Sequence, residues 1–347
     1  METPRFVRVV FFCWSLLLAT PFFVFAYDDN TTHPALTQEI VKFFNLKFPE
    51  GNISDADAEY IIQGSIDEDT DARWTRHFYD PAHNRGLSYL GTEWQSAKDW
   101  AMDTIAQATH RIQDYPNKTL YGSLKDRFTG ETDYSWERAI YEYAWGDKKR
   151  GLTALGHTLH LLEDMSVPDH TRNDPHPALG RRFNLSFLDH HDLTNTSPYE
   201  SFAIFPRGSL NAADNIKIQP PIILSSIDDH IEQMARYSNG NFFSGDTIFS
   251  ERYKKPNYLQ TRTEILSDDR PTTFGIAKIN SDEYRLVYLP QQLKWKQLLI
   301  ENQIDKKPSL QDVDDKILKD YFNLLSRQAI LHGAGAVKLF FDEVERE

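Results

Sequence analysis

The chain of 347 residues has one cysteine, Cys13, which lies inside an apolar N-terminal run. Everything after that run is cysteine-free, which excludes disulfides and thiolate metal ligands there. An exported chain of this kind depends on a good core, a bound metal, or both. Basic charge is also scarce. Lys and Arg number 38 against 51 Asp and Glu, a formal net charge of -13, with no basic tail or stripe. Proteins that grip nucleic-acid phosphates electrostatically carry a basic footprint, so this chain would need metal ions to supply positive charge locally. Internal repeats, low-complexity tracts and a clear interdomain linker are lacking too. Hydrophobic residues at 40% and charged residues at 26% are ordinary for a globular protein and argue against wholesale disorder.

What is present begins with a targeting pattern. Arg5 and Arg8 precede an apolar run from Val9 to Ala26, and Val24-Phe25-Ala26 places a small residue before the polar Tyr27-Asp28-Asp29-Asn30. That layout predicts a secretory signal peptide over residues 1–26, hence a secreted or periplasmic protein with a mature domain over 27–347. The rival reading is an uncleaved membrane anchor. Sequons at Asn30, Asn52, Asn117, Asn184 and Asn195 matter only in a eukaryotic secretory pathway.

The mature chain reads as mainly α. Thr37 is expected to cap a helix carrying Ile40, Val41, Phe43 and Phe44. Ser54 with Asp57 opens another, which Gly64 is placed to end. Helical spacing is also read over 92–113, from Ser135 to Gly146, and over 148–165, where Leu152, Leu155, Leu159 and Leu162 form one stripe. Residues 172–222 look irregular, a helix resumes near Ser226, and 273–289 alternate as a β-hairpin. A long amphipathic helix is expected over about 311–346. Residues of about 245–310 are read as an insertion with no assignment.

The chemistry concentrates in His160-Leu161-Leu162-Glu163-Asp164-Met165-Ser166-Val167-Pro168-Asp169-His170-Thr171-Arg172-Asn173. His160 and Asp164, four apart, project from one face of a helix. Pro168 breaks that helix and can swing His170 back toward the same point. Imidazole and carboxylate together suit zinc. This run resembles the signature of bacterial zinc-dependent phospholipases C, whose fold is shared by single-strand-specific zinc nucleases. The resemblance implies zinc ligation by His160, Asp164 and His170, with Asp164 bridging metals. Three further blocks stand in the right order: Arg76-His77-Phe78-Tyr79-Asp80-Pro81, Thr32-His33-Pro34 and Tyr199-Glu200-Ser201-Phe202. By the same resemblance they add His77, His33 and Glu200. One more ligand is expected from Asp67, Glu68 and Asp69, with Asp69 preferred and also assigned the catalytic role of orienting or deprotonating water.

The resemblance thus implies a multi-helix bundle around two or three Zn2+ ions, and a phosphodiesterase cleaving phospholipid to diacylglycerol and a phosphorylated head group, acting as a monomer. Single-stranded nucleic acid is the alternative substrate, and a non-enzymatic exported protein with a structural zinc site is the alternative class. The chain departs from the family pattern at three points. Tyr27 stands where a tryptophan is frequent, Thr196 where a histidine is usual, and Glu163 where a small residue is usual. His190 and His191 have the wrong spacing to replace Thr196. Of the remaining histidines, His83, His110, His176 and His230 are read as surface residues. His157 is read either as a support for a ligand or as a packed core residue, and His332 as close packing beside Gly333 and Gly335.

Overall fold

The computed structural model describes residues 31–69, 73–89, 91–109, 132–175, 197–290 and 309–347. The expected leader, Tyr27, His110, His176, His190, His191 and Thr196 lie outside them. Among the described residues no helix is long and apolar enough to cross a membrane. In chain order the helices are α1 (Thr32–Lys47), α2 (Asp55–Glu68), α3 (Ala97–Met102), α4 (Thr104–Thr109), α5 (Trp136–Trp145), α6 (Lys148–Asp164), α7 (Pro168–Thr171), α8 (Pro198–Phe202), α9 (Ala212–Asn215), α10 (Ile227–Asn241) and α11 (Lys316–Val344). The strands are β1 (Ser88–Tyr89), β2 (Thr92–Glu93), β3 (Gln260–Ile265), β4 (Pro271–Ile279) and β5 (Asp282–Leu289). The mainly α expectation holds.

Capping chemistry places several of these helices. The side chains of Ser54, Ser135 and Ser226 accept from the backbone N–H of Asp57, Arg138 and Asp229, three residues on, which satisfies otherwise orphaned donors at each start. Two expected boundaries were wrong. Helix α1 begins at Thr32, so Thr37 lies inside it, and its hydroxyl is used by a buried carboxylate rather than as a cap. Gly64 does not end α2, which runs on to Glu68. Over 92–109 the expected helix is instead a short strand followed by α3 and α4, parted at Asp103, which holds Gln95 and the N–H of Ala106, and 110–113 lie outside the described residues. Within the described part of the segment read as irregular, 172–222, the chain forms the short helices α8 and α9.

Helix α6 is the axis of the bundle. It packs against α1, α2, α5 and α11, and every residue from Ala154 to Asp164 is buried. Its leucine stripe lies in the main core, with Leu155, Leu159 and Leu162 fully covered. Each such side chain contributes roughly 1.5–3 kcal/mol on burial. Because the polar face is covered as well, His157, His160, Glu163 and Asp164 must find partners inside the protein. Gly64 and Gly156 explain how α2 comes so near. A Cβ on Gly64 would stand 1.9 Å from the Thr153 carbonyl oxygen, and one on Gly156 would stand 2.0 Å from that of Ile61.

The C-terminal half adds an antiparallel sheet in the order β3-β4-β5, with a bulge between Gly275 and Ile276. The expected hairpin is β4-β5, turning at Asn280-Ser281. Strand β3 was missed because its side chains are mostly exposed and give no alternation. The segment left unassigned therefore carries a sheet whose Phe274, Ile276, Leu286 and Val287 join the same core as the helices.

The close approach of α2 to α6 is directly testable. Gly156→Ala forces the two backbones apart and should cost about 3 kcal/mol in urea unfolding. A variant within about 0.5 kcal/mol of wild type would refute this packing.

Candidate metal centre

The seven residues expected to bind metal arrive from six places in the chain. His33 is in the first turn of α1, and Asp69 follows the last residue of α2. His77 follows a short 3-10 turn over Arg73–Arg76. His160 and Asp164 lie on α6, His170 on α7 and Glu200 on α8. Pro168 occupies the first turn of α7, so the chain reverses after α6 and carries His170 back to Asp164.

Asp164 is the hub. Its Oδ2 lies 3.2 Å from His77 Nδ1 and 3.3 Å from His160 Nε2. Its Oδ1 lies 3.4 Å from His170 Nδ1 and 3.5 Å from His33 Nε2. Asp69 Oδ1 stands 3.3 Å from His77 Nδ1 and 3.7 Å from His160 Nε2. On the other side, His170 Nε2 is 3.3 Å from Glu200 Oε1. The seven side chains form one connected cluster, in which Glu200 is reached through His170.

The imidazoles are aimed from behind. His160 Nδ1 donates to the Ser65 carbonyl at 2.6 Å, and His170 Nδ1 donates to the His77 carbonyl at 2.9 Å. With Nδ1 held by a carbonyl, each ring turns its Nε2 edge toward the carboxylates. His33 is held by Glu163, and its ring stacks on that of His160 at 3.6 Å. Ring nitrogens and carboxylate oxygens therefore face one another. Neither oxygen of Asp69 or of Asp164 takes a hydrogen bond among the described residues, and His77 Nε2 and His170 Nε2 make none either. Buried acceptors in such number are costly unless positive charge lies among them. Two groups, His77-His160-Asp164 and His33-Asp69-His160, are close enough to hold a metal ion. The nitrogen and oxygen donor set fits a divalent cation, and further carboxylate and imidazole groups lie alongside each group.

The electrostatics agree. Burial opposes charge on Asp164, yet the surrounding histidines, His160 foremost, hold its carboxyl well below the usual range. Burial likewise opposes charge on His77, but the Asp164 charge and the nearby carboxylates of Asp69 and Glu68 raise it to about 10. For His33 burial is again outweighed, by Asp164 and Glu163, and its value rises to about 10.

Among the acidic candidates after α2, Asp69 enters the centre. Asp67 instead accepts from the exposed Gln63. Glu68 is fully buried and takes Trp100 Nε1, Arg73 and His157 Nδ1. A merely solvated acidic turn is thereby excluded for Glu68 and Asp69. His157 is buried: it stacks on Tyr134 and braces Glu68, a carboxylate outside the seven whose Oε1 stands 3.7 Å from His77 Nε2. His83 is exposed, as expected. His230 is not a surface residue. It is buried against His332, with Nδ1 atoms 3.3 Å apart, because Gly335 lets α11 approach it closely. Burial lowers both rings, to about 4 for His230 and about 3 for His332, so this pair is neutral at ordinary pH.

Several supporting residues were not foreseen. Asp169 accepts from Ser197 Oγ at 2.9 Å and so anchors α8 with Glu200. Arg172 is buried and donates to the Asn239 and Lys254 carbonyls and to Thr247. Asn173, at positive φ, pairs with both backbone groups of Ser88. Position in the motif marked Asp169, Arg172 and Asn173, but no sequence signal named their partners.

A divalent ion entering this centre must displace the protons that the carboxylates hold on His33 and His77. Both rings bind their protons up to about pH 10, so metal affinity should rise as pH increases from 5 through neutrality. Calorimetry of zinc uptake at pH 7 in buffers of different ionisation enthalpy should show net proton release. Uptake without proton release would contradict this electrostatic picture.

A scan against models of known protein families matches none, and a search of curated proteins finds no significant relative.

Proposed function

We propose that this protein is a secreted zinc-dependent phosphodiesterase of the phospholipase C type, hydrolysing phospholipid to diacylglycerol and a phosphorylated head group. The observation that carries the reading is the division of the Asp164 carboxylate, one oxygen facing His77 and His160 and the other facing His33 and His170. A carboxylate so placed suits a bridge between ions. A structural zinc site is usually one ion with four ligands, whereas seven imidazole and carboxylate groups converge here. Bound zinc supplies Lewis acidity, neutralising charge on phosphoryl oxygens and acidifying water to a pKa of about 7.

The chain's own residues do the positioning. His77, His160 and Asp164 with Asp69 would hold one ion, His33 with Asp164 a second, and His170 with Glu200 a third. Asp69 keeps two carboxylate oxygens in the centre that take no hydrogen bond among the described residues. One of them can take the proton from the attacking water. Water oxygen then bonds to phosphorus, the ester bond to the glycerol oxygen breaks, and that oxygen takes up a proton. The acidic balance and absence of a basic stripe favour a lipid over a nucleic acid.

Zinc per chain should be measured on purified mature protein, with hydrolysis of phosphatidylcholine and single-stranded DNA followed in parallel. Two or three zincs and lipid cleavage abolished by a chelator are expected. DNA cleavage instead would assign the chain to the nuclease chemistry, and one tightly bound zinc with no hydrolysis would make the site structural. Asp69→Asn should lose about 100-fold or more in turnover while keeping its fold by circular dichroism, and full activity would remove Asp69 from the catalytic role.

A further inference from the structure

Behind His33 stands a carboxylate that is not one of the seven converging groups. Glu163 immediately precedes Asp164 on α6 and is fully buried. Its Oε2 accepts from His33 Nδ1 at 2.7 Å, and its Oε1 accepts from Thr37 Oγ1 at 2.7 Å. Thr37 is four residues after His33, so both partners project from one face of α1. Consecutive side chains on α6 thus grip one imidazole from two directions. Glu163 takes Nδ1, while Asp164 Oδ1 lies 3.5 Å from Nε2.

Among the other convergent histidines, His160 and His170 donate from Nδ1 to backbone carbonyls, those of Ser65 and His77. Those acceptors are backbone amides, whereas Glu163 offers a carboxylate. A hydrogen bond at one ring nitrogen decides which nitrogen carries the lone pair. A carboxylate behind the ring also raises the basicity of the nitrogen that binds metal. Burying a carboxylate here serves no packing purpose that a leucine would not serve at less electrostatic cost. The two hydrogen bonds on Glu163 instead fix the rotation and tautomer of His33.

We propose that Glu163 is a positioning residue for metal at His33: it locks the Nδ1–H tautomer and strengthens Nε2 as a ligand, so occupancy of that ion position depends on it. This rests on reading the centre as a zinc site. Thr37 supports it by holding the second carboxylate oxygen, which prevents Glu163 from turning away.

The test compares the full mature chain with Glu163→Gln, Glu163→Asp and Thr37→Val. The readouts are zinc per chain, the affinity of the most weakly held ion by chelator competition, and the ring nitrogen shifts of His33 by NMR. Glu163→Gln should keep the wild-type far-ultraviolet spectrum yet lose about 10–100-fold in affinity for one ion, with His33 no longer held in a single tautomer. Thr37→Val should show a smaller loss at the same ion. If Glu163→Gln does not fold, Glu163→Asp and Thr37→Val provide the same comparison. Wild-type affinity for every ion together with an unchanged His33 tautomer would overturn the proposal and leave the zinc reading standing. A wild-type chain that takes up no zinc would overturn both.

Discussion

A buried carboxylate at the end of one helix sets the terms for the rest of this molecule. Asp164 is fully enclosed, and moving a carboxylate out of water costs several kcal/mol even after relaxation. Four imidazoles at 3.2–3.5 Å supply the compensation, and each comes from a separate part of the chain or an adjoining turn. Helix α1 must deliver His33, the segment after α2 must deliver His77, and the reversal at Pro168 must deliver His170. The arrangement of the bundle follows from that requirement as much as from the leucines on the opposite face of α6.

Supports behind these side chains show how such an arrangement is kept rigid. The carbonyls of Ser65 and His77 orient His160 and His170, and the N–H of Tyr79 pairs with the His170 carbonyl at 3.2 Å. Residues 77–79 and 170 thereby hold one another from both directions. Farther out, Glu68 gathers Arg73, Trp100 and His157, and Asp169 ties down α8 through Ser197. Ligands supported by backbone carbonyls and buried ion pairs are far less free to adopt other rotamers, which is what a preorganised centre requires.

The C-terminal half contributes bulk and closure. Helix α11 packs on α1, α6, α10 and β5, and the small sheet buries its apolar face against the same core. Arg285 joins Asp320 on α11 to Glu264 on β3, and Lys316 adds a second cation to Glu264. These pairs are partly exposed and contribute modestly to stability. They do fix the sheet against the helix, so that the core containing α6 is closed on that side.

Periodicity, caps and turn residues in the sequence determined the mainly helical character, the starts of α2, α5 and α10 and the β4-β5 hairpin, because these depend on neighbours a few residues away, whereas His33, His77 and Glu200 were named only through the family resemblance. His160, Asp164 and His170 were legible as a cluster since helix spacing and one proline bring them together locally. Only the tertiary structure decided that Asp69 rather than Asp67 turns inward, that Glu163 holds His33, that His230 is buried against His332, and that α2 continues past Gly64. Each of these depends on a partner separated by tens of residues or more, and a helix boundary or a side-chain direction is set there by close packing and buried polar satisfaction, which no local pattern encodes.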